Sequence, residues 1–282
     1  MKVLLPKHIG YGRLDALLAI FAHIRANRAT VKKGQLLQLD WQRVERVSPA
    51  GYAILACLFD TAFEHQYILV NKGMSKQLKT IPVIQNLGGL KDFKRFPKPS
   101  LHNQQLEESI LCGNESLLNL SFIEDFERRF GSYLSEDLAF SCRLILNELM
   151  QNSVDHSSAE RYYLYAGVWR TNGAKEVHIG VLDMGVTIPA KLQQKYISKD
   201  DSDYLELALR EGITTRRARP GGLGLFHTFE HLKNHEGTLT LISREAQLIR
   251  YFKSKKIRRQ VLKNSLSGTW CLARFPAVRK KA

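Results

Sequence analysis

The chain has 282 residues, 44% of them hydrophobic and 24% charged, with a formal net charge of +15. That length is long for one domain and comfortable for two, and the composition is ordinary for a soluble globular protein. Four scattered cysteines (Cys57, Cys112, Cys142, Cys271) without a CxxC pair argue against a disulfide framework or a zinc site.

The opening "MKVLLPKHIG" has too short an apolar run for a signal peptide. The longest apolar patch, residues 14–24, is amphipathic and falls short of the roughly 20 residues a membrane span needs, so a cytoplasmic location without a membrane span is expected. Residues 1–90 read as one unit in which strands alternate with helices. "KVLLP", "GQLLQLDW" and "YILVNK" are the strands; 13–28 and 51–66 carry apolar residues at helical spacing. Such alternation predicts a small α/β sheet. Residues 91–116 mix Gly, Pro and charges and read as a linker.

A second unit, 117–282, starts with two helices, "SLLNLSFIEDFERRFGSYL" and "SEDLAFSCRLILNELMQNSVDH", with Ser135 as the N-cap of the second. Strands at 161–170 and 176–184 follow, then an irregular region at 186–221, a helix from 222 to 235 and three closing strands. This pattern predicts an α+β layer in which helices cover a mixed sheet. Much of the positive charge falls in 250–263 and 278–282. Such a surface attracts polyanions, nucleic acid among them, or is simply a solvated basic hairpin and tail; no nucleic-acid motif accompanies it.

The second of these helices poses the chemical question. At 100° per residue Leu138, Cys142, Ile145 and Leu149 form a stripe facing the sheet, and Asn152 and His156 continue in nearly the same sector with Glu148 at its edge. Inward polar groups need partners, so either neighbouring side chains satisfy them or the helix end lines a polar cavity. Later segments add Asp183-x-Gly185 just after a buried strand, glycines 221, 222 and 224 at the start of a helix, and Gly268-Thr269 at the start of the last strand. Helix-start amides unobstructed by side chains suit an anion.

In this order, Glu148-x-x-x-Asn152-x-x-x-His156, Asp183-x-Gly185, Gly222-x-Gly224 and Gly268-Thr269 resemble the motifs of the Bergerat-fold (GHKL, histidine-kinase-like) ATPases, closest to the anti-sigma-factor serine kinases. The resemblance covers roughly 117–277 and implies ATP and Mg²⁺. It implies Asn152 as the Mg²⁺ ligand through its amide oxygen and Glu148 as general base. It puts Asp183, Gly185 and Thr269 at adenine, and His156 and the Gly222-Leu223-Gly224-Leu225 segment in the ATP site, with the backbone N–H groups of Gly222 and Gly224 on the phosphates. "GITTRRARPGGLGL" resembles the lid of those kinases, which implies Thr215 and Arg216 or Arg217 over the triphosphate. One departure is Thr187, which stands where a second glycine is usual. The first unit resembles the STAS domains of anti-anti-sigma factors, but Pro49 of Ser48-Pro49-Ala50-Gly51 occupies the usual phosphoacceptor position. Proline cannot be phosphorylated, so this unit is expected to dock a partner or its own ATPase unit.

Three functions remain open: an ATP-binding regulatory protein that hydrolyses ATP slowly, a protein serine kinase with a regulatory protein as partner or as a homodimer, and a scaffold that binds nucleic acid through the basic hairpin. Retention of Glu148 speaks against the scaffold, because binding alone needs no base.

Overall fold

The computed structural model describes residues 2–10, 14–26, 35–73, 94–95, 111–115, 117–171, 174–214 and 224–277. The first half runs β1 (Lys2–Leu4), β2 (His8–Ile9), α1 (Leu14–Ala26), β3 (Leu36–Asp40), β4 (Arg46–Val47), α2 (Pro49–Glu64) and β5 (Ile68–Lys72). Strands β1, β3 and β5 form a parallel sheet in that order, with Lys2 opposite Gln38 and Leu36 opposite Ile68. β2 and β4 make a separate short parallel pair. The turn before α2 proves to be the start of the helix itself: the Ser48 hydroxyl caps it, accepting from the Gly51 N–H at 3.2 Å. Pro49 then opens the helix where a missing N–H leaves no bond unmade. The Ser48 oxygen is thus occupied by a structural bond.

Helix α1 keeps Ala16, Ala19 and His23 exposed on one face, whereas α2 is buried far beyond one face. In α1, Leu17, Leu18, Phe21 and Ile24 are buried together, and in α2 every residue from Tyr52 to Ala62 is buried. A helix apolar all round belongs between two layers. One neighbour is the parallel sheet, through Leu37 and Leu39; the other is the sheet of the second half, through Tyr163, Tyr165, Leu182, Ile242, Trp270 and Leu272. Phe21 meets Trp270 edge to face at 5.9 Å. The Tyr163 hydroxyl donates to the buried Asp60 carboxylate at 3.0 Å, which also takes Arg161 at 3.5 Å. The two halves share one core.

The second half contains β6 (Lys94–Arg95), β7 (Leu111–Glu115), α3 (Leu120–Phe130), a 3-10 turn (Gly131–Tyr133), α4 (Glu136–His156), β8 (Tyr162–Thr171) and β9 (Ala174–Asp183). It continues with α5 (Ile188–Leu192), α6 (Asp201–Leu207), α7 (Gly224–Asn234), β10 (Thr238–Tyr251) and β11 (Lys256–Pro276). Its six strands lie in the order β10-β11-β9-β8-β7-β6, and every pair is antiparallel. The expected mixed sheet is therefore corrected to an antiparallel one. Two of its pairs, β8–β9 and β10–β11, are joined by short hairpins, which only antiparallel pairing allows. Lys94–Arg95 and Leu111–Glu115, inside the stretch read as a linker, are strands on the sheet edge. The three closing strands are two, because Ser243–Ala246 passes through a bulge, with Arg244 at φ 53°, instead of turning the chain.

Alternation along these strands feeds both faces. Tyr162, Leu164, Val181, Cys271 and Ala273 pack under α3, α4 and α7, while their neighbours Tyr163, Tyr165, Leu182, Trp270 and Leu272 pack on α1 and α2. The result is four layers: helices, antiparallel sheet, helices, parallel sheet. The basic hairpin projects as β10, the turn 252–255 and β11, and part of its charge is paired. Arg259 binds Glu206 at 2.7 Å and Asp203 at 3.2 Å, both on α6. No helix among the described residues is long and apolar enough to cross a membrane.

Candidate functional site

Helix α4 is the spine of the site. Ser135 caps it, accepting from the Leu138 N–H at 3.2 Å, with Glu136 and Asp137 in the first turn where the helix dipole favours them. Leu138, Cys142, Ile145 and Leu149 are buried in the helix–sheet core, as their spacing predicts. The last turns then change character. Glu148 and Asn152 are half-buried and face the first residue of α7. A Cβ added at Gly224 would lie 2.7 Å from Glu148 Oε2 and 3.0 Å from Asn152 Nδ2. A side chain here would displace the ends of Glu148 and Asn152 from this position. Asn152 Nδ2 is buried and has no partner among the described residues, and His227 Nδ1 lies 3.7 Å from Glu148 Oε1.

The C-cap of α4 meets the Asp183 segment. Ser157, its C-cap, donates from Oγ to the Ser153 carbonyl at 2.5 Å, and its own carbonyl accepts from the Val186 N–H at 2.5 Å. A side chain at Gly185 would run into that carbonyl. Asp183, 5% exposed at the end of β9, accepts from the Gly185 N–H at 3.0 Å and the Thr269 N–H at 3.3 Å, both through Oδ1. Burial outweighs these bonds and pushes its carboxyl up to about 7. Gly268 takes φ 95°, a left-handed value that side chains avoid, and so brings Thr269 onto Asp183.

Ser243 ties the two strands together, a role the sequence reading missed. Its Oγ donates to the Gly268 carbonyl at 2.7 Å and accepts from the Ile188 N–H at 2.9 Å. Its one proton is thereby used, so the Thr269 hydroxyl 3.1 Å away donates to it. With Asp183 ionised, above about pH 7, its second oxygen and Thr269 Oγ1 are then both acceptors. Thr187, where a second glycine was expected, caps α5 by accepting from the Ala190 N–H at 3.2 Å. Ser157, Ser243 and His227 left only faint sequence signals: a polar residue after the helix, a lone serine ending an apolar strand, and a histidine one turn into α7.

Of the residues singled out by sequence, Glu148, Asn152 and Gly224 come together at one end, and Asp183, Gly185 and Thr269 at the other. From Glu148 to Ser157 the helix rises roughly 13 Å, which separates the two clusters. Leu225, on α7, is half-buried and packs against two of the cores. His156 ends α4, and its side chain lies outside the described residues, as do Thr215, Arg216, Arg217, Gly222 and Leu223. Among the described residues no cluster of three His, Cys, Asp or Glu could cage a metal ion. A magnesium ion here would take one protein oxygen, from Asn152, which suits an ion that keeps most of its water and phosphate ligands. No protein-family model and no curated protein matches the chain.

Proposed function

We propose that this chain is a cytoplasmic, Mg²⁺-dependent ATP-binding regulatory protein with a Bergerat-type site and a STAS-like docking unit, and that it hydrolyses ATP slowly. The observation that carries the reading is the contact of one helix, α4, with both glycine-marked segments: Glu148 and Asn152 on Gly224, and Ser157 on Gly185.

Each end has its chemistry. Adenine offers an exocyclic amine, a donor, where guanine offers a carbonyl. The free oxygens of Asp183 and Thr269 accept from that donor and leave the guanine carbonyl without one. At the other end, Asn152 holds the ion that neutralises phosphate charge, and the first turn of α7 presents backbone N–H groups to the phosphates. Glu148 removes a proton from a water as its oxygen attacks the γ-phosphorus; the bond to the bridging oxygen breaks, giving ADP and phosphate. Incubation with γ-labelled ATP separates this from transfer to a protein hydroxyl, because the label then stays on protein.

ATP with Mg²⁺ is expected to raise the melting temperature of the full chain, and GTP at the same concentration is expected to do so far less. No shift with millimolar MgATP sinks the reading. Gly224→Ala tests the close approach. The added methyl meets only side-chain ends that can swing away, and alanine favours a helix by about 1 kcal/mol over glycine. The variant is expected to melt no lower than wild type yet to lose at least about tenfold in phosphate release, through displaced Glu148 and Asn152.

A further inference from the structure

The Asp183 pocket is built by the second half, yet one support reaches it from the first. Strand β11 bulges where it matters: Ser243 pairs with Thr269 but Arg244 pairs with Leu266, so Ser267 and Gly268 stand out of register. Such a bulge bends the strand and re-aims its side chains, and here two side chains bond to it from outside β11. From within the sheet, Ser243 holds the Gly268 carbonyl at 2.7 Å. From α1, the Arg25 guanidinium donates from Nη1 to Ser267 Oγ at 2.5 Å. The next residues are the left-handed Gly268 and then Thr269, whose N–H donates to Asp183. Behind them α1 packs Phe21 on Trp270.

The geometry points to Arg25 as a positioning residue for the Asp183–Thr269 pocket, so that docking of the first half sets the shape of a binding site in the second. The same helix supplies an internal control. At its other end Asp15 accepts from the Lys263 N–H at 3.0 Å and from Gln260 at 3.5 Å, which holds a second irregularity of β11 away from the pocket. Loss of Asp15 loosens the same contact between halves without touching Ser267. The effect of Arg25 on nucleotide affinity rests on the ATP reading above; its effect on the pocket amides does not.

The test is hydrogen exchange on full-length, nucleotide-free protein, with amide resolution at Thr269 and Gly185, for Arg25→Ala, Arg25→Lys and Asp15→Ala. Arg25→Ala is expected to speed exchange at Thr269 at least tenfold, Arg25→Lys to recover part of the protection, and Asp15→Ala to leave that amide as in wild type. Unchanged exchange in Arg25→Ala overturns the inference, and so does equal acceleration by Asp15→Ala, which means general loosening. Should Arg25→Ala fail to fold, Ser267→Ala removes the same bond from its acceptor side and is judged by the same outcomes. With MgATP, Arg25→Ala is expected to raise Kd about tenfold and leave kcat within twofold. If wild-type protein binds no ATP while the exchange result holds, the nucleotide reading falls and the positioning role stands.

Discussion

Glu148→Ala is expected to bind MgATP as wild type does and to release phosphate about 10²–10⁴-fold more slowly, the usual contribution of a positioned general base. The half-buried carboxylate has one oxygen close to the start of α7 and the other facing His227. None of its contacts is needed to hold adenine at the far end of α4, so binding and rate should separate. Asn152→Ala is expected to lose both, because the ion leaves with its ligand. Phosphate-release kinetics beside a binding isotherm check the split; equal rates in Glu148→Ala and wild type remove Glu148 from the mechanism.

Asp183→Asn is expected to act in opposite directions on stability and on binding. An ordinary aspartate titrates near about 4, whereas burial raises Asp183 to about 7. Between those values the folded protein holds a proton that the unfolded chain has lost. The associated stability is fully present below about pH 4 and is lost as pH rises through about 7, by a few kcal/mol at most. Asparagine does not titrate. The variant should therefore melt higher than wild type at pH 8, by roughly 2–4 °C per kcal/mol regained, and show no such advantage near pH 4. Binding moves the other way. An amide N–H facing the adenine amine replaces an acceptor by a donor and is expected to weaken ATP by about 1.5–3 kcal/mol. Melting curves at the two pH values, with and without MgATP, read both effects. A variant that melts lower at pH 8 contradicts the assigned burial of a carboxylate.

Periodicity makes several elements legible in the sequence. The stripe Leu138, Cys142, Ile145, Leu149 and the Ser135 cap defined α4 to within a residue. The apolar runs at 161–170 and 176–184 mark the two strands of the central hairpin. Three features were harder to read, for physical reasons. The bulge at Arg244 keeps a strand going through polar residues that resemble a turn. Lys94–Arg95 and Leu111–Glu115 are strands by virtue of a neighbour, since an edge strand borrows its order from the sheet. The shared core was written in α2, where "YAILACLFDTA" is apolar around the whole circumference. Apolar residues at helical spacing identify the helix, but only a helix covered on both sides buries every residue from Tyr52 to Ala62. The candidate site was legible as motifs, but Ser157, Ser243 and His227 act through distances that spacing does not encode.

That shared core sets a timetable for synthesis. Helix α2 is complete at Glu64, but the strand that presents Trp270 and Leu272 to the α1–α2 layer is made some 200 residues later. At about 5–20 residues per second, the delay is roughly 10–40 s. The bond from Arg25 to Ser267 spans 242 residues and cannot form earlier. Throughout that interval the side of α1 that will meet β11 faces water or a chaperone, whereas α2 gains its second wall once β8 and β9 are made. A ribosome stalled before Trp270 thus leaves a nascent chain in which α1 lacks the wall that Trp270 provides. Premature termination anywhere in the last hairpin should yield aggregates and not a truncated soluble fragment.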